Sequence, residues 1–286
     1  MKQLAVTTLS LLCCVNIFTQ ENGEQPVVTE AVYKTVGQAK LKLYIYRPIK
    51  HKNGENVPAI IFFHGGAWCE GHAWQFFPQC KYLAARGMVA ISAEYRVRKR
   101  QKNTTPFDCV ADAKSAIRWV RAHATEFWID TSRIVAGGGS AGGHMAACTA
   151  LINGFDEKTE DISISSVPNA LVLFNPPLDI PEVLNRLPKN LQKILETSGR
   201  EISPIHHVME GAPPTIIFHG TDDSAVPFHQ SIIFSEEMKK YNNRCQVEPF
   251  EGREHGFFNY YKGKNPDFQN TMNLTVKFLV SIGYLN

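Results

Sequence analysis

The chain has 286 residues, 44% of them hydrophobic and 20% charged, with a formal net charge of +3. These values suit a globular protein with a core large enough to need no staples, and they exclude collagen-like, low-complexity and disordered classes. So small a charge, with no block of Lys or Arg, leaves no footprint for nucleic acid.

Lys2 precedes an apolar stretch from Leu4 to Phe18, followed by polar Gln20 to Gln25. The stretch is short for a bilayer span and is diluted by Thr7, Thr8, Ser10 and Asn16. Residues 1–25 therefore read as a secretory signal peptide, which predicts a secreted or periplasmic protein without stable membrane insertion. Cys13 and Cys14 raise a lipid anchor as the alternative. Beyond the leader stand Cys69, Cys80, Cys109, Cys148 and Cys245, an odd set whose spacings fit no zinc motif. Cys69 with Cys80 is a candidate bridge in an oxidising compartment.

Val32 to Tyr46 alternates around Gly37 and predicts an antiparallel hairpin. Ala59 to Phe63 is a continuous apolar run, as expected of a strand buried on both faces, and leads into His64-Gly65-Gly66-Ala67-Trp68. A helix over Gln79–Arg86 and a buried strand over Met88–Ala93 follow, ending at Glu94-Tyr95-Arg96. The basic run 96–102 reads as a solvated loop. Phe107 to Thr125 has helical spacing, with Val110, Ala113, Ile117 and Val120 on one stripe. A strand from Ile134, a glycine-rich turn and a helix over His144–Leu151 come next. The acidic run 156–161 reads as loop. Further strands are predicted at 170–174, 215–218 and 246–250, with helices over 227–241 and 271–282. Residues 175–214 read as irregular, with one helix near Leu187–Thr197. Strands alternating with helices predict a mainly parallel sheet covered on both faces, and residues 26–286 read as one domain.

Gly138-Gly139-Ser140-Ala141-Gly142 fits G-x-S-x-G, the turn that holds a nucleophilic serine in a strained position above a sheet. The same letters contain Gly137-x-Gly139-x-x-Gly142, formally a dinucleotide fingerprint. That reading expects an early βαβ unit and a ribose-binding acid about 20 residues on, whereas these glycines lie mid-chain. A serine hydroxyl needs a base, itself oriented by a carboxylate, and on such a sheet the order is Ser, acid, His. Of the ten histidines, only His229 and His255 lie beyond the acid loop. His229 falls in a predicted helix, whereas His255 lies in the loop after the last strand. Asp222 and Asp223 both qualify as the acid. Oxyanion donors are expected from the N–H of Gly66 or Ala67 and that of Ala141.

On these residues the chain resembles the α/β-hydrolase superfamily. Within it, the chain is similar to carboxylesterases and acetylxylan or feruloyl esterase-like enzymes related to the hormone-sensitive-lipase group. The resemblance rests on His64 to Trp68, Glu94-Tyr95-Arg96, Gly138 to Gly143, Gly220-x-x-Asp223-x-x-Val226-Pro227 and His255-Gly256-Phe257, and covers nearly everything after Val32. It implies an α/β-hydrolase fold and selects Asp223 over Asp222. Two departures stand out: Ala67 replaces a third glycine, and Gly139 replaces the acidic residue many relatives carry before the serine. The resulting expectation is an esterase with a Ser140, Asp223 and His255 triad, acting without metal or cofactor on a small ester or an acylated polysaccharide. Trp68 and Trp74, with Phe76 and Phe77 behind them, are the candidate substrate-binding aromatics. A lipase with residues 175–214 as its lid, a peptidase, and a catalytically dead binding protein are the competing readings.

Overall fold

The computed structural model describes residues 26–48, 54–260 and 265–286, so the leader segment lies outside the described residues. Its centre is one eight-stranded sheet. In chain order the strands are β1 (Val28–Val36), β2 (Ala39–Tyr46), β3 (Val57–Phe63), β4 (Val89–Ala93), β5 (Ile129–Gly139), β6 (Ala170–Phe174), β7 (Thr215–Gly220) and β8 (Cys245–Phe250). Their spatial order is β1-β2-β4-β3-β5-β6-β7-β8. β1 and β2 form the predicted hairpin and β2 joins β4 antiparallel; every pairing from β4 onward is parallel. This is the α/β-hydrolase fold.

The helices are α1 (Phe77–Ala84), α2 (Pro106–Ala122), α3 (Ala141–Leu151), α4 (Ile180–Val183), α5 (Lys189–Leu195), α6 (His229–Lys240) and α7 (Pro266–Ser281). Parallel strands need crossovers, and the helices that provide them lie on the two faces of the sheet. One core packs α2, α3, α5 and α6 against one face, and a second packs α1 and α7 against the other. Strands sandwiched in this way have no wet side. β4 and β6 are accordingly buried at every residue, which is why they read as unbroken apolar runs.

Several boundaries differ from the sequence expectation for local reasons. β5 begins at Ile129 rather than near Ile134, because Asp130 to Arg133 is polar and half-exposed at the strand's start. α7 begins at Pro266, where the Asn265 side chain accepts from the Asp267 N–H and proline occupies the first turn. The 175–214 stretch holds α4, α5 and three short 3-10 turns.

Two expectations are overturned. Cys69 and Cys80 are both free: Cys69 packs against the core on the α2 and α3 face, and Cys80 lies in the core on the opposite face. The basic run is not merely solvated. Arg96 forms an ion pair at 2.8 Å with the fully buried Asp112, and the backbone N–H groups of Arg98 and Lys99 donate to the carbonyls of Trp68 and Cys69. The acidic loop also has structural work, with Asp156 and Glu160 bound to Arg118 and Glu157 to Lys34.

Candidate active site

The ends of β3, β5, β6, β7 and β8 open onto one cleft of about 1110 Å³, lined by Ser140, Ala141, His255 and residues of the 65–72 loop. Ser140 stands between β5 and α3 with φ 53° and ψ −124°, a left-handed backbone that costs a side-chain-bearing residue about 1–3 kcal/mol. Its neighbours hold it there. The Ser140 N–H donates to the Phe174 carbonyl at 2.8 Å, and the Ser140 carbonyl accepts from His144 at 3.0 Å. Gly142 is required because a Cβ there would overlap the Phe63 carbonyl. At Gly139 a Cβ would strike the ring of Phe258. The space a side chain at this position would need is therefore filled by the Phe258 ring, packed on Phe76 and Phe174.

Three residues distant in sequence meet at this point. The Ser140 hydroxyl donates to His255 Nε2 at 2.9 Å, and His255 Nδ1 donates to Asp223 Oδ2 at 2.8 Å. The other carboxylate oxygen, Oδ1, accepts from the N–H groups of Ala225 and Val226 at 2.9 and 2.8 Å. Burial alone would raise the Asp223 carboxyl. Hydrogen bonds from His219 and His255, the electrostatic pull of the facing His255 ring and the Val226 N–H outweigh it and hold the pKa well below the usual carboxylate range. Asp222 is exposed and its backbone N–H donates to Arg253, so it serves the turn. His229 lies at the start of α6, half-exposed and paired with Glu182, away from the serine.

The 65–72 loop follows β3. Gly66, Ala67 and Trp68 all have positive φ, at 121°, 49° and 58°, and Gly66 folds back so that its carbonyl accepts from Cys69 and Glu70. The positive φ values at 66–68 set a sharp turn at the cleft wall, and Gly66 and Ala67 carry the expected oxyanion donors. Ala141 is the first residue of α3, where an N–H has no partner within the helix. Gly66, Ala67 and Ala141 all line the cleft. His64 is not part of this chemistry. Its ring stacks on Tyr95 at 4.1 Å and its Nδ1 donates to the Gly65 carbonyl at 2.7 Å, while burial lowers its pKa to about 3.

The aromatics separate. Trp68 is only 2% exposed and meets the edge of His144, and Phe76 is fully buried on Phe62. Phe77 packs on Tyr44 and Tyr46, away from the cleft. Trp74 is 64% exposed, stacked on His72, and presents a free ring to the cleft.

Four residues at the site carry no motif. His219, fully buried at the end of β7, lies 3.3 Å from Asp223 and 2.7 Å from the Ser231 hydroxyl. Its signal was a histidine inside an apolar strand. Gln75, Asn175 and Asn259 line the cleft and bind the backbone of the two active loops. Only a folded chain shows them together.

Comparison with known proteins places the chain among esterases. A model of the BD-FAE family matches residues 43–238. The esterase 2 of Thermogutta terrifontis, a Planctomycetes species, has been solved with propionate bound. It is 50% identical with a TM-score of 0.82, covering 91% of this chain and 96% of that one. The same esterase phosphorylated by paraoxon is 49% identical with a TM-score of 0.83, covering 92% and 96%. A probable carboxylic ester hydrolase of Mycobacterium tuberculosis, LipM, is 30% identical over 206 residues, which is 67% of this chain and 47% of that protein. The chain spans about half the length of the curated relatives it matches.

Proposed function

Because the chain belongs to the BD-FAE family and has the α/β-hydrolase fold, we propose that it is a serine ester hydrolase with Ser140 as nucleophile, His255 as base and Asp223 as the acid that orients it. The observation that carries this reading is the continuous hydrogen-bonded line from the Ser140 hydroxyl through His255 to Asp223. In the acylation step Ser140 Oγ bonds to the ester carbonyl carbon and its proton passes to His255 Nε2. The carbonyl oxygen becomes an oxyanion, received by the N–H groups of Gly66 or Ala67 and of Ala141. The intermediate collapses, the carbon–oxygen bond to the alcohol breaks, and the His255 proton leaves with that alcohol. Water then repeats the sequence on the acyl-enzyme and releases the acid. Asp223 stays ionised throughout and stabilises the imidazolium.

The substrate we propose is a short acyl ester, with acetyl groups on a polysaccharide as the preferred class. Trp74 supports this reading, since an exposed ring in the cleft that holds the nucleophile can pack on the apolar face of a sugar. Export, expected from the leader-like first 25 residues, would bring the enzyme to such a polymer. Paraoxon labelling followed by peptide mass analysis tests the nucleophile. The phosphoryl group should fall on Ser140, and Ser140→Ala should lose both the label and ester turnover. A chain-length series of nitrophenyl esters beside acetylated xylan tests the substrate. Peak turnover at octanoate or longer, with no acetate from xylan, would replace this reading with a lipase.

A further inference from the structure

Two separate loops must act on one carbonyl: the 65–72 loop, which offers oxyanion donors, and the 251–258 loop, which carries His255. Between them runs an unbroken chain of amides. The Gly65 N–H donates to Gln75 Oε1 at 2.7 Å, and Gln75 Nε2 donates to Asn259 Oδ1 at 2.8 Å. Asn259 Nδ2 donates to the carbonyl of Gly256, the neighbour of His255, at 2.8 Å. On its other side, the Gly256 N–H donates to Asn175 Oδ1 at 3.3 Å. Asn175 directly follows Phe174, whose carbonyl holds the Ser140 N–H.

The chain has a fixed direction. A backbone N–H only donates, so Gln75 must turn its oxygen to Gly65 and its nitrogen to Asn259. A backbone carbonyl only accepts, so Asn259 must turn its nitrogen to Gly256 and its oxygen to Gln75. Both ends therefore impose the same orientation on both amides, and neither can flip without breaking two bonds. In each amide a donor and an acceptor act in series, which ties the position of one loop to that of the other.

We propose that Gln75 and Asn259 are positioning residues that set the separation between the oxyanion donors and His255. The proposal rests on the ester-hydrolase reading for its catalytic consequence but not for its mechanical one. A misplacement of about 1 Å between groups that act together can cost on the order of 100-fold in rate, whereas neither amide is required to hold the ground-state ester.

Single substitutions can cut one link at a time. Gln75→Glu keeps the acceptor for Gly65 and sets a carboxylate oxygen against Asn259 Oδ1. Asn259→Asp keeps the acceptor for Gln75 and removes the side-chain donor to Gly256, leaving that carbonyl only the Asn259 backbone N–H at 3.1 Å. With nitrophenyl acetate, each variant should lower kcat by roughly 10- to 100-fold with KM within about twofold. The double variant should be no slower than the slower single, because a relay cut once is already cut. Unchanged kcat in both singles, or losses that multiply in the double, would overturn the relay. Hydrogen exchange gives a readout that needs no turnover: Gln75→Leu should speed exchange in residues 252–260, and Asn259→Leu in residues 64–68. Unaltered exchange across the relay would also overturn it. If the wild-type protein shows this exchange coupling but no esterase activity, the failure belongs to the ester reading and the mechanical link stands.

Discussion

Lowering the pH should unfold this protein through two histidines that flank the site without entering its chemistry. His144, on the first turn of α3, is fully buried. Burial lowers its pKa to about 4 despite its bond to the Ile202 carbonyl at 2.6 Å. His64, also fully buried, is lowered to about 3. An exposed histidine in the unfolded chain titrates near 6.5. Below that value the unfolded state binds protons that the folded state refuses, so stability is full above about pH 6.5 and falls as the pH drops towards 4. At 1.36 kcal/mol per pH unit, each histidine removes about 2 kcal/mol between pH 7 and pH 5. Together they remove about 4 kcal/mol, a large share of the 5–15 kcal/mol typical of a domain. Urea unfolding midpoints at pH 7, 6 and 5 measure the loss directly. His144→Gln, which cannot titrate, should flatten the slope by about half whatever its effect at pH 7. A wild-type loss below about 1 kcal/mol over this range, or an unaltered slope in His144→Gln, would refute the reasoning.

Asp223→Asn should reduce kcat by up to about 10⁴-fold, because an amide can leave His255 with its proton on the wrong nitrogen, while Asp222→Asn should change it little. Steady-state rates of the two variants, each checked for folding by circular dichroism, decide the assignment. Gly139→Ala should destabilise the fold by about 1–3 kcal/mol by forcing a methyl group against Phe258. Adding Phe258→Leu, which removes the clashing ring tip yet keeps an apolar side chain in the core, should recover part of that loss, as a denaturation curve of the double variant would show.

The three residues of the proposed triad were legible because the chemistry proposed for them is tied to chain order and to strand ends. A glycine-flanked serine after an apolar run, and a histidine after the last strand, are patterns one dimension can hold. The choice between Asp222 and Asp223 was less so: adjacent residues differ only in which way the turn points them, and resemblance rather than spacing separated them. The tryptophans show the same limit. Trp68 and Trp74 are six positions apart, one in the loop after β3 and one in the 3-10 turn (Ala73–Phe76) that follows it, and Trp68 is turned inward while Trp74 stays in solvent. Cys69 and Cys80 looked close along the chain, and the sheet lies between them. Gln75, Asn175 and Asn259 had no signal at all, because an amide that bonds to backbone needs a particular place and no particular neighbours.

The order in which the sheet is laid down also bears on when the protein becomes active. Ser140 and its turn are complete once β5, β6 and α3 exist, but His255 follows β8, an edge strand and the last to join. On the proposed mechanism, a chain emerging from the ribosome therefore carries a well-formed nucleophile for about eighty residues of synthesis, from the end of β6 to His255, without a base to activate it. On that mechanism competence arrives only when the final strand docks, so a chain interrupted before His255 is chemically silent, and labelling of Ser140 reports that β8 and the loop after it are in place.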